Sequence, residues 1–148
     1  MEQEIDFRVP EGGNVKRLVW STDLHFDAAD RAQFALYCDL VKAFEPDALL
    51  IGGDISNGIG SMDYLANIQD RIGKPVYFVL GNHDYYYGSI KTTREEAGKL
   101  CGRYPRLHYL SAGGIVSLSE QTALIGHDGW ADGRVGDFLS SEVLLNDY

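Results

Sequence analysis

The 148-residue chain has only two cysteines and no apolar run of membrane-spanning length, so neither a disulfide framework nor a transmembrane helix is expected. Cys38 and Cys101 fall in helix-like stretches outside any C-x-x-C pair, which predicts reduced thiols. Met1 to Pro10 lacks the basic start and apolar core of a secretory signal, and a cytoplasmic location is the expectation. Positive charge is also scarce. Thirteen Lys and Arg against 22 Asp and Glu leave a formal charge of -9, which opposes non-specific attraction to nucleic acid or an anionic membrane. Nucleic acid is therefore not the expected partner, although it stays open as a substrate. A phosphate-bearing ligand would need cations to offset both charges. What remains is ordinary globular usage, 45% hydrophobic and 24% charged, in a length suited to one domain over residues 1–148.

The apolar pattern predicts an α/β chain. Arg17 to Trp20, Ala48 to Ile51 and Pro75 to Leu80 are short, branched, buried-strand runs. Between them, Phe34, Leu36, Tyr37, Leu40, Val41 and Phe44 recur at helical spacing before Pro46. Met62, Leu65, Ala66, Gln69 and Ile72 do so before Gly73. Strand and helix alternating in units of about 30 residues predict a parallel sheet with right-handed crossovers. A third helix is expected over Lys91 to Arg103. Short antiparallel strands are expected around His108 to Leu110, Ile115 to Leu118 and Thr122 to Ile125, and a last helix over about Asp137 to Leu145.

Polar clusters close each of the first three strands: Asp23 and His25, then Asp54, then Asn82, His83 and Asp84. Ligands of open parallel sheets bind beyond the carboxyl ends of the strands, so three clusters at three such ends define one site. Asp23 and His25, two apart along a strand, point to the same side. Carboxylate, amide oxygen and imidazole together suit manganese, iron, zinc or nickel, and a carboxylate such as Asp54 can bridge two ions roughly 3.5 to 4 Å apart. Gly52, Gly53 and Gly81 permit the tight turns and close approach such a site needs.

D-x-H in Asp23 to His25, G-D in Gly53-Asp54 and G-N-H-D in Gly81 to Asp84, roughly 30 residues apart, resemble the calcineurin-like metallophosphoesterase superfamily. The resemblance implies a β-sandwich flanked by helices (α/β/β/α). Asp23, His25 and Asp54 would hold one metal, and Asp54 and Asn82 the other. His83 would act as general acid to the leaving group, with Asp84 orienting its ring. The implied reaction is hydrolysis of phosphomonoesters or phosphodiesters by a metal-bound hydroxide, in an enzyme using two divalent or trivalent ions. The family's remaining ligands, an isolated His and a G-H-x-H, have no counterpart. Gly126-His127-Asp128 lacks the second His and follows the third strand too soon. The resemblance therefore covers the first half of the family domain, and the chain is expected to be truncated at its C-terminus. Alone it is expected to be a weak hydrolase that self-associates through an uncovered sheet face. The alternative is a catalytically degenerate binding module of the same fold.

Other polar groups admit plainer readings. Strand-end caps and turns use the same residue types, and Asp84 could cap a following helix. Tyr85, Tyr86 and Tyr87 suit an aromatic wall or simple packing. His127, Asp128, Trp130, Asp132 and Arg134 suit a cleft rim or an ordinary polar loop. His108, between Leu107 and Tyr109, reads as structural.

Overall fold

A computed structural model of the chain describes residues 15–58, 60–129, 137 and 139–142. Strand β1 (Leu18–Ser21) is followed by a 3-10 turn at Phe26–Ala28 and helix α1 (Arg31–Ala43). Next come β2 (Ala48–Ile51), α2 (Gly60–Ile72), β3 (Val76–Phe78) and a second 3-10 turn at His83–Tyr85. Helix α3 (Ile90–Arg103), β4 (Leu107–Tyr109), the single-turn α4 (Leu110–Gly113), β5 (Val116–Ser117) and β6 (Ala123–Leu124) complete the order. No helix among the described residues is long and apolar enough to cross a membrane.

Helix α1 starts where its sequence provides a capping box. The Asp30 carboxylate accepts the Gln33 N–H and the Gln33 side chain accepts the Asp30 N–H, both at 2.8 Å. Ser89 caps α3 through the Thr92 N–H at 3.1 Å.

The four longer strands form one parallel sheet in the order β1-β2-β3-β4, with Ser21, Ile51, Phe78 and Tyr109 in line across it. The strand expected around His108 to Leu110 is thus not antiparallel. Helix α3 is a full crossover that returns the chain to the starting edge, so β4 enters parallel to β3, and Leu110 opens α4 instead. Among the described residues, antiparallel pairing is confined to β5 and β6. The last expected helix, over about Asp137 to Leu145, is not borne out where it is described: Asp137 and residues 139–142 form a turn and irregular chain, and its other positions lie outside the described residues.

Alternation along the strands sorts side chains to two faces. Leu49, Ile51, Val76, Phe78 and Leu107 pack with Phe34, Cys38 and Val41 of α1, Leu65 and Ile68 of α2, and Ala97 and Leu100 of α3. Each such buried aliphatic or aromatic side chain contributes roughly 1.5–3 kcal/mol. On the other face Ala48 and Tyr77 pack with Leu110, Val116 and Leu118, so the β5–β6 pair forms a second, smaller layer. That layer leaves Leu18 and Trp20 of edge strand β1 uncovered, with Trp20 69% exposed. The apolar positions of α1 also divide. Phe34 and Val41 are buried, whereas Leu36, Leu40 and Phe44 form an exposed stripe four residues apart.

Candidate metal centre

Because all four strands run the same way, the loops after β1, β2 and β3 meet at one edge. Backbone hydrogen bonds continue the ladder past the strand ends. Gly52 N–H donates to Ser21 O (2.8 Å), Asp23 N–H to Gly53 O (3.1 Å), His25 N–H to Asp54 O (3.0 Å) and Phe26 N–H to Ile55 O (2.9 Å). This stitching holds three non-glycine residues in the left-handed region: Asp23 (φ 54), His25 (φ 44) and Asp54 (φ 51). Such conformations cost of order 1–3 kcal/mol each and persist only where the surroundings over-determine them. Two glycines make the approach possible. A Cβ on Gly53, itself at φ 96, would lie 2.6 Å from Gly81 N, and a Cβ on Gly81 would run into Asp54 Oδ1.

The loops bring His25, Asp54 and His83 together, one ligand atom of each lying within 4.8 Å of the others. His25 Nε2 is 3.9 Å from Asp54 Oδ2, and the two imidazole rings meet edge to face at 4.6 Å. The His83 backbone N–H donates to Asp54 Oδ1 at 3.0 Å, which engages one oxygen and leaves Oδ2 toward His25. Two imidazoles beside a carboxylate are a donor set suited to a first-row transition metal.

The other sequence-predicted residues sit differently. Asp23 lies at the same edge but outside this cluster, its Oδ2 accepting the Thr22 hydroxyl at 2.6 Å. Asn82 is half-buried between Gly81 and His83, where it opens the 3-10 turn. Asp84 is fully buried, and it does not meet the His83 ring. Its Oδ1 accepts the N–H of Ile55 (3.0 Å) and Ser56 (3.3 Å) and the Ser61 hydroxyl (2.5 Å), while Oδ2 accepts the Gly81 N–H (2.9 Å). It ties the loop after β2 to the loop after β3. Burial pushes its carboxyl above the usual carboxylate range, against the pull of the Ser61 hydroxyl and the three N–H donors.

The group expected to orient His83 is thus replaced by one that sequence reasoning passed over. His83 Nδ1 lies 3.1 Å from Asn57 Oδ1, and Asn57 Nδ2 donates to Asp27 Oδ2 at 2.9 Å. Both had a visible signal. Asn57 stands three positions after Asp54 in the same turn, and Asp27 extends the alternation of Asp23 and His25.

A second brace is Asp128, which is buried and not part of a rim. It accepts the Leu80 N–H (2.9 Å), the Ser111 hydroxyl (2.6 Å), the Tyr85 hydroxyl (2.9 Å), the Tyr109 hydroxyl and Arg94 Nε (3.1 Å). Burial alone would raise its carboxyl, but the Leu80 N–H and the hydroxyls of Ser111, Tyr109 and Tyr85 outweigh it and hold it below the usual range. His127 is exposed, and its Nδ1 accepts the Gly129 N–H at 2.9 Å. Trp130, Asp132 and Arg134 lie outside the described residues. The three tyrosines also part company: Tyr85 is buried, Tyr86 leans on the His83 ring at 4.5 Å, and Tyr87 is exposed at φ 62. His108 stacks on Tyr77 at 4.9 Å.

A family model described as calcineurin-like phosphoesterase matches residues 16–142. A Caenorhabditis elegans protein named as a metallophosphoesterase, F40B5.2, is 33% identical over 84 residues, 53% of this chain and 17% of that protein. "Transmembrane protein with metallophosphoesterase domain" from Bos taurus is 29% identical over 89 residues, 56% of this chain and 20% of that protein. Its Danio rerio namesake is 30% identical over 90 residues, 57% of this chain and 20% of that protein. The chain thus matches no more than about a fifth of the length of these curated relatives. No solved structure matches at the same stringency.

Proposed function

The chain belongs to the calcineurin-like phosphoesterase family, and from that premise we propose that it is a metal-dependent hydrolase of phosphomonoesters or phosphodiesters. The observation carrying this reading is the convergence of His25, Asp54 and His83 at the carboxyl edge of the sheet. His25 and Asp54, with Asp23 turning in from the same loop, would hold one ion, and Asp54 with Asn82 a second. Held there, such ions would supply Lewis acidity to the phosphate oxygens and to the attacking water. The chain's own residues would do the rest. Asp54, fixed by the His83 N–H, keeps its second oxygen pointed at the cluster. His83, whose Nδ1 is occupied by Asn57, is left with Nε2 to carry a proton to the leaving oxygen. Tyr86, leaning on the His83 ring, limits its rotation.

A binding module without turnover is the second reading. The placement of Asp23 outside the cluster, its carboxylate engaged by Thr22, favours it. Hydrolysis of a chromogenic phosphodiester and a chromogenic monoester by manganese- or zinc-loaded protein separates the two. His83→Ala should lower turnover by roughly 10²–10⁴ while retaining metal. Metal binding lost on Asp54→Ala with no turnover in any loaded wild-type form would support the module and reject the enzyme.

A further inference from the structure

Three side chains from three loops form a line that ends on His83. Asp27 Oδ2 accepts from Asn57 Nδ2 at 2.9 Å, and Asn57 Oδ1 lies 3.1 Å from His83 Nδ1. A carboxylate has no proton to give, so Asp27 admits only the nitrogen end of the Asn57 amide. The oxygen end must then face the ring. An amide oxygen can only accept, so the ring nitrogen opposite it must carry the proton.

We propose that Asp27 and Asn57 form a positioning relay that keeps one proton on His83 Nδ1, so that the neutral ring is the Nδ1–H tautomer and the second proton, taken up from solvent and given to the leaving oxygen, is carried on Nε2 facing the phosphate ester. This deepens the reading of His83 as the residue that serves the leaving group, and it rests on that reading for its purpose but not for its test. Asp27 reads no substrate. It acts one residue removed, by fixing which way Asn57 points. Placement agrees with that role: Asp27 is exposed on the 3-10 turn after His25, Asn57 is half-buried in the turn after Asp54, and His83 is half-buried between them and the cluster. The relay also accounts for the use of Asn at position 57. A carboxylate there would face the Asp27 carboxylate with no proton between them, whereas an amide presents a donor to one side and an acceptor to the other.

The chain contains its own reference. His127 Nδ1 accepts the Gly129 N–H at 2.9 Å, so that ring must carry its proton on Nε2, the opposite tautomer. Long-range proton–nitrogen correlation spectra of the metal-free full chain, labelled with nitrogen-15 at histidine and recorded where the rings are neutral, distinguish the two forms directly. The expected spectrum shows His83 with a protonated Nδ1 and an unprotonated Nε2, and His127 reversed. Asn57→Ala and the milder Asp27→Asn should both move His83 toward the tautomer mixture of a free imidazole, with His127 unchanged. Asp27→Asn acts because an amide at position 27 can donate as well as accept and no longer dictates the Asn57 orientation. On the loaded protein, Asp27→Asn should lower turnover while metal content stays at the wild-type level. His83 found as the Nε2–H form in the wild type, or a His83 tautomer unmoved by either variant, overturns the relay. Because the spectra need neither metal nor substrate, that failure would stand apart from any failure of the enzyme reading.

Discussion

Asp23 and Asp54 at the mouth of the sheet, and Asp84 and Asp128 beneath them, are the same residue type placed at the same end of the fold for opposite ends. The pair at the mouth has left-handed backbone, and the Asp23 carboxylate accepts the neighbouring Thr22 hydroxyl. The buried pair has every oxygen engaged, Asp84 by four donors and Asp128 by five. Strain gathers at the mouth, and satisfied hydrogen bonding gathers in the layer below that holds it. The difference teaches that a carboxylate in this edge is recognised as working or bracing by its partners, not by its motif position. Asp84 is in the G-N-H-D run and yet belongs with the braces.

Mutation sharpens that contrast. Asp128→Ala should cost the most, about 3–5 kcal/mol in urea unfolding. It strands the buried Leu80 N–H and the Tyr85, Tyr109 and Ser111 hydroxyls, and removes the partner of Arg94. A loss below about 1 kcal/mol would break the division.

The two braces should also respond to acid with opposite sign. Asp128, held below the ordinary carboxylate range when folded, adds stability that is present above the unfolded value near pH 4 and is lost as pH falls through its folded value. Asp84, pushed up by burial, binds its proton more tightly when folded, so its effect is a loss of stability as pH rises from about 4 toward its folded value. Unfolding midpoints between pH 2 and 7 should lose the acid-side fall in Asp128→Asn and the rise-side fall in Asp84→Asn. The same slope in both variants would refute the assignment.

At the mouth, Asp23→Gly should leave stability unchanged or raise it by up to about 1 kcal/mol. Relief of the left-handed strain is offset by the greater chain entropy glycine loses on folding. A thermal shift downward would show that Asp23 is not strained. Smallest of all, Trp20→Ser on the uncovered face should change stability by no more than about 0.5 kcal/mol, since its side chain already meets solvent. Light scattering on that variant reports separately on whether the face promotes self-association.

The parallel sheet, its crossovers and the meeting of three motifs at one edge were legible because each strand is a short apolar run that ends in a polar cluster. The antiparallel reading of β4 failed because Leu107 to Tyr109 alone does not say which way the chain enters; α3 does, by reversing direction once more. Helical spacing identified the helix from its six apolar positions between Phe34 and Phe44, yet Leu36, Leu40 and Phe44 face outward, since spacing alone does not tell a buried position from an exposed one. In the site, ligand types were legible and their partners were not. Nothing local tells that Asp84 bonds to Ile55, Ser56 and Ser61, which lie 29, 28 and 23 positions away, or that Asn57 takes the ring it was expected to serve.

The central claim is that His25 and Asp54 hold metal beside His83 for phosphate-ester hydrolysis. Elemental analysis of wild-type and Asp54→Asn protein after loading with manganese, iron, zinc or nickel, with phosphodiester turnover read on the same samples, tests it most directly. Bound metal with turnover in the wild type, and both lost together in Asp54→Asn while the variant stays folded, is the predicted result. Equal metal content in the two proteins, or turnover that survives the substitution, would contradict it.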